Sequence, residues 1–149
     1  LFVVVGRNGT ILTSSDGTTW TERTSGISKS LTGVTYGNGT FVTVGYTVST
    51  STTTTTTTST DNSSSDNSTT TSTTTTEKST TTLTSSDGVT WTLRDSGTSN
   101  ELRGYITYGN RLFVTVGYSG TILTSSDGIS WTSRTSGTTE NLLGITYKE

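Results

Sequence analysis

Aspartates recur at one fixed place in the chain, and carboxylates are the residue type from which a hydrolytic or calcium site would be built. Asp16, Asp87 and Asp127 each stand in a Ser-Asp-Gly sequence. A site for glycoside hydrolysis needs an acid and a nucleophile that converge in one cleft, and a residue repeated at identical positions does not supply them. We therefore expect each aspartate to cap its own turn by accepting backbone N–H groups.

Each repeat also carries one tryptophan and, three residues after it, one arginine. Such positions are spread along an array of repeats, so we expect the arginines to pair with nearby backbone or aspartate groups. A tryptophan can stack on a sugar, but one per repeat beside a turn favours packing between adjacent sheets, with the indole N–H bonded locally. The arginines are Arg23, Arg94 and Arg134, and the predicted structural repeat set is Asp16, Gly17, Trp20, Asp87, Gly88, Trp91, Asp127, Gly128 and Trp131.

These residues lie in a pattern that occurs three times, in units of about 1–40, 41–112 and 113–149. Phe-Val-x-Val-Gly leads to Thr-x-Leu-Thr-Ser-Ser-Asp-Gly-x-x-Trp-Thr and then to a short Ile/Val-Thr-Tyr segment. Short β-favouring runs separated by Asn-Gly and Asp-Gly turns predict antiparallel strands. The predicted strands are Phe2–Gly6, Thr10–Ser14, Trp20–Arg23, Leu31–Tyr36, Phe41–Gly45, Leu83–Ser85, Trp91–Arg94, Leu102–Tyr108, Phe113–Gly117, Thr121–Ser125, Trp131–Arg134 and Leu142–Tyr147.

The segment Thr13–Trp20 and its counterparts at 84–91 and 124–131 resemble the Asp-box of BNR repeats, although here Gly follows Asp directly. The longer pattern is similar to the blades of bacterial propellers grouped with photosystem II assembly factors and sialidase-like proteins. The resemblance implies an all-β, β-propeller-type fold of three four-stranded antiparallel blades. It implies no activity, because such blades serve many functions. We do not expect the arginines to form the cluster by which sialidases hold a carboxylate, since they occur once per blade.

The phase of the repeat makes the two ends of the chain complementary. If the strand Gly33–Tyr36 begins a blade, the chain opens on the second strand of one blade and closes on the first strand of another, Leu142–Tyr147. Three blades are fewer than the four to eight of an ordinary ring. We therefore expect either head-to-tail pairing with copies of the same chain or a segment of a longer array. Head-to-tail contacts close into rings or propagate as filaments.

One insertion, residues 47–80, interrupts the second unit, and all but seven of its residues are Thr or Ser. Such a composition favours disorder, whereas β-branched Thr and a turn-forming centre favour a long hairpin. The segment could be a passive linker, an aggregation-prone strand, an ice-binding array or an O-glycosylated spike, and glycans would prevent strand stacking. The glycosylation candidates are Thr52, Thr53, Thr54, Thr55, Thr56, Thr57, Thr58, Thr60, Asn62, Asn67, Thr69, Thr70, Thr71, Thr73, Thr74, Thr75 and Thr76.

Two further asparagine sequons, Asn8 and Asn38, coincide with Asn-Gly turns that already explain them. A cation site at the tip of the insertion would use Asp61, Asn62, Asp66 and Asn67, but their spacing does not fit an EF-hand loop. Metal binding is therefore not predicted.

Composition excludes several classes of function. The 149 residues contain no Pro, His, Cys or Met, so disulfides and the usual zinc and haem sites cannot form. A net charge of −2 gives no nucleic-acid footprint, and no apolar run approaches the ~20 residues of a membrane span.

The sequence therefore predicts a non-enzymatic, extracellular or cell-surface structural module without cofactor, which self-associates and carries glycans. The alternative is a propeller that binds a carbohydrate or surface protein through variable blade-top loops, as an adhesin would. These loops are Ser25–Ser30, Ser96–Glu101 and Ser136–Asn141.

Overall fold

The computed structural model describes residues 1–58 and 68–149, and these residues form antiparallel β-sheets without an α-helix. The all-β prediction is therefore confirmed. The strands are β1 (Phe2–Val5), β2 (Ile11–Ser14), β3 (Thr21–Arg23), β4 (Ser30–Gly37), β5 (Thr40–Thr58), β6 (Ser68–Ser85), β7 (Thr92–Arg94), β8 (Ile106–Gly109), β9 (Leu112–Val116), β10 (Ile122–Ser125) and β11 (Thr132–Arg134).

Three sheets follow one another along the chain. The first sheet has the order β1-β2-β3, the second β4-β5-β6-β7 and the third β8-β9-β10-β11. Tight turns fix their registers. Asn8 and Gly9, for example, have φ angles of 55° and 71° in the turn that joins β1 to β2. These positive angles are the reason for the Asn-Gly sequence at this place.

The expected three four-stranded blades are replaced by one three-stranded and two four-stranded sheets. The strand Leu31–Tyr36, placed last in the first unit, lies in β4 and pairs with β5, where Tyr36 stands opposite Phe41. The tight turn at Gly37-Asn38-Gly39 folds it onto the chain that follows. The first sheet is consequently one strand short, and the described residues form neither a closed ring nor a barrel.

Two other predicted strands differ from the structure. Leu102–Tyr108 forms a strand only from Ile106, and this repeat has one more residue between its glycine and its tyrosine than the first. Leu142–Tyr147 forms no strand. A strand needs a neighbouring backbone for its ladder of hydrogen bonds, and no strand among the described residues pairs with this segment.

The sheets pack face to face around two small apolar clusters. Ile11, Leu31 and Leu83 join the first and second sheets, with Val3 and Val5 packed against them. The second and third sheets meet at a cluster of six buried residues. These are Val42, Val44, Leu102, Ile106, Phe113 and Leu123.

The chain divides into two compact units, residues 1–47 with 78–149 and residues 48–77. The second unit consists of the distal parts of β5 and β6, which are neighbours in the sheet order. Its described threonines are exposed, and the hydroxyls of Thr52 and Thr74 lie 3.5 Å apart across the two strands. The structure thus describes the two arms of the insertion as neighbouring strands. No helix in the described ranges is long and apolar enough to cross a membrane.

Candidate functional site: the repeated turns and the open sheet faces

The three Ser-Asp-Gly turns have the same hydrogen bonds. In the second sheet, Asp87 Oδ1 accepts the backbone N–H groups of Val89 and Thr90, each at 2.8 Å, and the Ser85 hydroxyl donates to the same oxygen. Ser85 Oγ in turn accepts the Gly88 N–H at 2.8 Å. Asp16 and Asp127 repeat this arrangement. Each carboxylate is thereby occupied in closing its turn.

These donors stabilise the charged form of each carboxylate. The N–H of Thr90, then that of Val89 and the Ser85 hydroxyl, lower the pKa of Asp87 to about 2. The pKa of Asp16 falls further below the ordinary value, first through the Thr19 N–H. The pKa of Asp127 is also lowered, first through the N–H of Ser130. A general acid would need the opposite shift, towards neutral pH.

The arginines do not converge. Each donates from Nε to a threonine hydroxyl of the neighbouring strand, as Arg94 does to Thr84 at 3.0 Å. Arg23 and Arg134 make the same bond, to Thr13 and Thr124 respectively. Among the described residues none of the three has a carboxylate partner. They therefore fasten the last strand of each sheet to its neighbour.

The tryptophans occupy three different environments. Trp91 packs against the cluster between the first two sheets and donates Nε1 to the Gly88 carbonyl at 3.1 Å. Trp131 packs against the second cluster, and its buried Nε1 has no acceptor among the described residues. Trp20 is 39% exposed on the first sheet. Exposure of Trp20 follows from its position, because none of the three described sheets covers that face.

In the second and third sheets, the glycine of the Asp turn contacts the preceding sheet. A Cβ on Gly128 would lie 2.5 Å from the Val42 side chain, and one on Gly88 would meet Leu1 and Val3. Gly17 meets only the ring of Phe2, in its own sheet. The turn of a following sheet therefore packs on the Phe-Val-x-Val-Gly strand of the preceding sheet.

This order leaves one face open at each end of the stack. On the first sheet, Phe2 is 57% and Val4 44% exposed, since their neighbours Val3 and Val5 point to the second sheet. On the third sheet, Val114 occupies the position of Val42, is half-buried, and meets no Asp-turn glycine among the described residues. The two faces are the two halves of an interface that occurs twice inside the chain.

Two open grooves lie at matching places of the first and third sheets. One, of about 530 Å³, is lined by Asn8, Arg23 and Ser25, among others. The other, of about 750 Å³, includes Arg134 and Ser136. Both lie between the β-turn after the first strand of the pattern and the loop after its third strand. They are the polar pockets that the variable loops provide.

One non-repeated cluster was not found from the sequence. The guanidinium carbon of Arg103 lies 4.1 Å from the ring centre of Tyr46 and 4.9 Å from that of Tyr118, and Arg103 forms an ion pair with buried Glu101. Burial opposes the charge of Arg103, but the hydrogen bond and charge of Glu101 outweigh it and raise the guanidinium pKa. The available signal was a Glu-Leu-Arg sequence where the first repeat has Ser-Leu-Thr.

The described glycosylation candidates in residues 51–56 and 70–76 are exposed, as are Asn8 and Asn38 in their turns. Thr60, Asn62 and Asn67, with Asp61 and Asp66 of the candidate cation site, lie outside the described residues, as do the side chains of Thr57, Thr58 and Thr69. In the part of the chain that the structure describes, no group of three or more acidic side chains could hold a metal ion.

Comparison of the chain with protein-family models, with curated proteins and with solved structures finds no match.

Proposed function

We propose that this chain is a non-enzymatic structural repeat module of β-propeller type. It acts outside the cell or at the cell surface, associates head to tail with copies of itself by strand sharing, and carries O-linked glycans on residues 47–80. The observation that carries the proposal is the pair of open faces, Phe2 and Val4 at one end and Val114 at the other. Each matches a half of the two interfaces inside the chain.

Strand sharing accounts for two irregularities at once. Within residues 1–58 and 68–149, no strand pairs with the free edge of β1, and none pairs with Leu142–Tyr147. If the segment of one copy pairs with β1 of the next, it completes a four-stranded sheet and removes an exposed sheet edge. The same step brings the open faces of the two copies together.

The balance between burial and association predicts that self-association depends on the protein concentration. Fully burying a Phe or Val side chain stabilises by about 1.5–3 kcal/mol, whereas association costs about 4–15 kcal/mol in lost freedom of motion. Few apolar side chains are available on each face, so assembly should grow with protein concentration. Light scattering over a concentration series, with electron microscopy of the same samples, should show a closed particle or filaments.

A matched pair of variants tests which face is used. Val114→Asp places a charge on the open face of the third sheet, and Leu93→Asp places one on β7 of the second sheet, where Leu93 is 56% exposed. We expect the first variant to remain monomeric and the second to assemble like the parent chain. A parent chain that stays monomeric at the highest concentration reached would refute the assembly proposal.

The glycan part of the proposal rests on the exposed hydroxyls of the second unit, which bury no apolar surface. Expression with secretion from a glycosylating host, followed by intact-mass measurement, should show a mass above that of the polypeptide. The excess should disappear in a variant in which Ser-Gly replaces residues 47–80. A parent chain with the mass of the bare polypeptide would refute the glycan part of the proposal and leave the assembly part standing.

A second candidate function is a binding module for a carbohydrate or surface protein, and the grooves at Arg23 and Arg134 favour it. Hydroxyls, backbone groups and a guanidinium can bond sugar hydroxyls. Glycan-array binding should then survive replacement of residues 47–80 and disappear in the Arg23→Ala, Arg134→Ala double variant. Loss of binding on replacement of the insertion alone would contradict this function.

A further inference from the structure

One tyrosine–phenylalanine pair joins the first two strands of both four-stranded sheets. Tyr36 stands opposite Phe41 with ring centres 4.5 Å apart, and Tyr108 stands opposite Phe113 at 4.7 Å. The angles between the ring planes are 50° and 52°. The pair is therefore a regular part of the pattern, with the tilted geometry that aromatic rings prefer.

A third tyrosine and a third phenylalanine occupy the same places in the pattern but have no ring partner in the described ranges. Tyr147 ends the Ile-Thr-Tyr segment as Tyr108 does, and Phe2 begins the Phe-Val-x-Val strand as Phe113 does. Both are open to solvent, with exposed fractions of 45% for Tyr147 and 57% for Phe2. They lie in the two elements that strand sharing would bring together.

The tyrosines make a second regular contact, with a glycine of the preceding sheet. A Cβ on Gly37 would lie less than 3.0 Å from the ring of Tyr108, and a Cβ on Gly109 would lie equally close to the ring of Tyr147. Each glycine directly follows the tyrosine of its own repeat. The residue that follows Tyr147 is Lys148, so the third position of this series carries a long side chain.

We propose that the joint between copies is a third pair of the same kind, in which Tyr147 of one copy packs against Phe2 of the next. This inference rests on the proposed self-association and specifies its register. Within a chain, the ring of Tyr108 contacts Gly37 of the preceding sheet. In the proposed register, the ring of Tyr36 of the second copy would contact Lys148 of the first copy at the equivalent place. The lysine side chain keeps the ring from the backbone, so the joint between copies is weaker than the joints inside each copy.

Engineered cysteines test the register directly, because the chain contains no cysteine of its own. A Phe2→Cys chain is mixed with a Tyr147→Cys chain under mild oxidation and run on a non-reducing gel. Directly opposite residues have Cβ atoms about 4.5–5.5 Å apart, and diagonal neighbours about 7–8 Å. We expect a covalent dimer from this mixture and little from Val4→Cys mixed with Tyr147→Cys, which is two residues out of register.

The outcomes distinguish failure of the Tyr147–Phe2 register from failure of the proposed self-association. Parent chains that associate in light scattering, while the Phe2→Cys and Tyr147→Cys chains fail to link, would overturn the register and leave self-association standing. Equal linking through Val4→Cys would overturn the register as well. A parent chain that stays monomeric would overturn both.

The dissociation constant of the contact between two copies tests the role of Lys148. Lys148→Gly should lower that constant severalfold, since the ring of Tyr36 can then reach the backbone as in the internal joints. Lys148→Arg keeps a long cationic side chain and should leave it unchanged. Equal constants for the two variants would overturn the assigned role of Lys148.

Discussion

Replacing Gly37 by Ala should destabilise the chain through one contact between sheets. The added methyl group would lie less than 3.0 Å from Cγ, Cδ1 and Cδ2 of Tyr108. That ring cannot move freely, because it packs on the second core cluster and on Phe113. Overpacking costs about 1–3 kcal/mol, and the reduced freedom of the unfolded chain returns about 0.4–1 kcal/mol. We expect a net loss of about 1–2 kcal/mol, or about 2–8 °C in the melting temperature.

Urea unfolding followed by tryptophan fluorescence measures this loss. Gly144→Ala is the matched control, because its new Cβ would meet no atom within 4 Å, and its stability should equal that of the parent chain or exceed it by up to about 1 kcal/mol. In a Tyr108→Ala background the cost of Gly37→Ala should disappear. An undiminished free energy of unfolding for Gly37→Ala, or an equal cost in both backgrounds, would refute the reasoning.

Three further predictions concern stability. The pKa of Asp87 is lowered from 3.8 to about 2 in the folded chain, so its stabilising effect is present above about pH 4 and is lost as the pH falls towards 2. Urea unfolding across this range should show a smaller loss for Asp87→Asn than for the parent chain. Leu83→Ala should cost about 2–5 kcal/mol in the same measurement, whereas Leu93→Ala, on an exposed position, should cost less than about 0.5 kcal/mol. Replacing residues 47–80 by Ser-Gly should preserve cooperative thermal unfolding of the rest, measured by circular dichroism, and stepwise melting would contradict this.

Local sequence patterns predicted most of the strands, whereas the remaining segments form strands only where a neighbouring strand pairs with them. The alternation of apolar residues and the Asn-Gly and Asp-Gly turns placed β1 and β2 correctly to within a residue. The segment Leu142–Tyr147 has the same local pattern as β4 but is no strand, because a ladder depends on a second backbone that its own sequence does not specify. The hypothesis that Gly33–Tyr36 begins a blade is confirmed, because these residues lie in β4, the first strand of the second sheet.

The site was predictable where it repeats and not where it is unique. Hydrogen bonding of Asp16 to the amides ahead of it follows from the Ser-Asp-Gly sequence alone. The cluster around Arg103 requires Tyr46 and Tyr118 to approach from two different sheets, and no spacing along the chain expresses that. The contact between Tyr108 and Gly37 could not be predicted either, since it depends on how the second and third sheets pack together.

The connection between the first and second strands of the pattern differs greatly in length among the three sheets, while the second and third strands keep the same register with each other. It consists of Arg7–Gly9 in the first sheet, of residues 47–80 in the second and of Ser119-Gly120 in the third. Thr82 nevertheless stands opposite Arg94 as Ile122 stands opposite Arg134. Because loop closure costs only about 0.6 kcal/mol per doubling of length, unrelated peptides or whole domains should be accepted there. In a head-to-tail array the inserted peptides or domains would recur once every three sheets. The chain would then fix the distance between the peptides or domains that it displays.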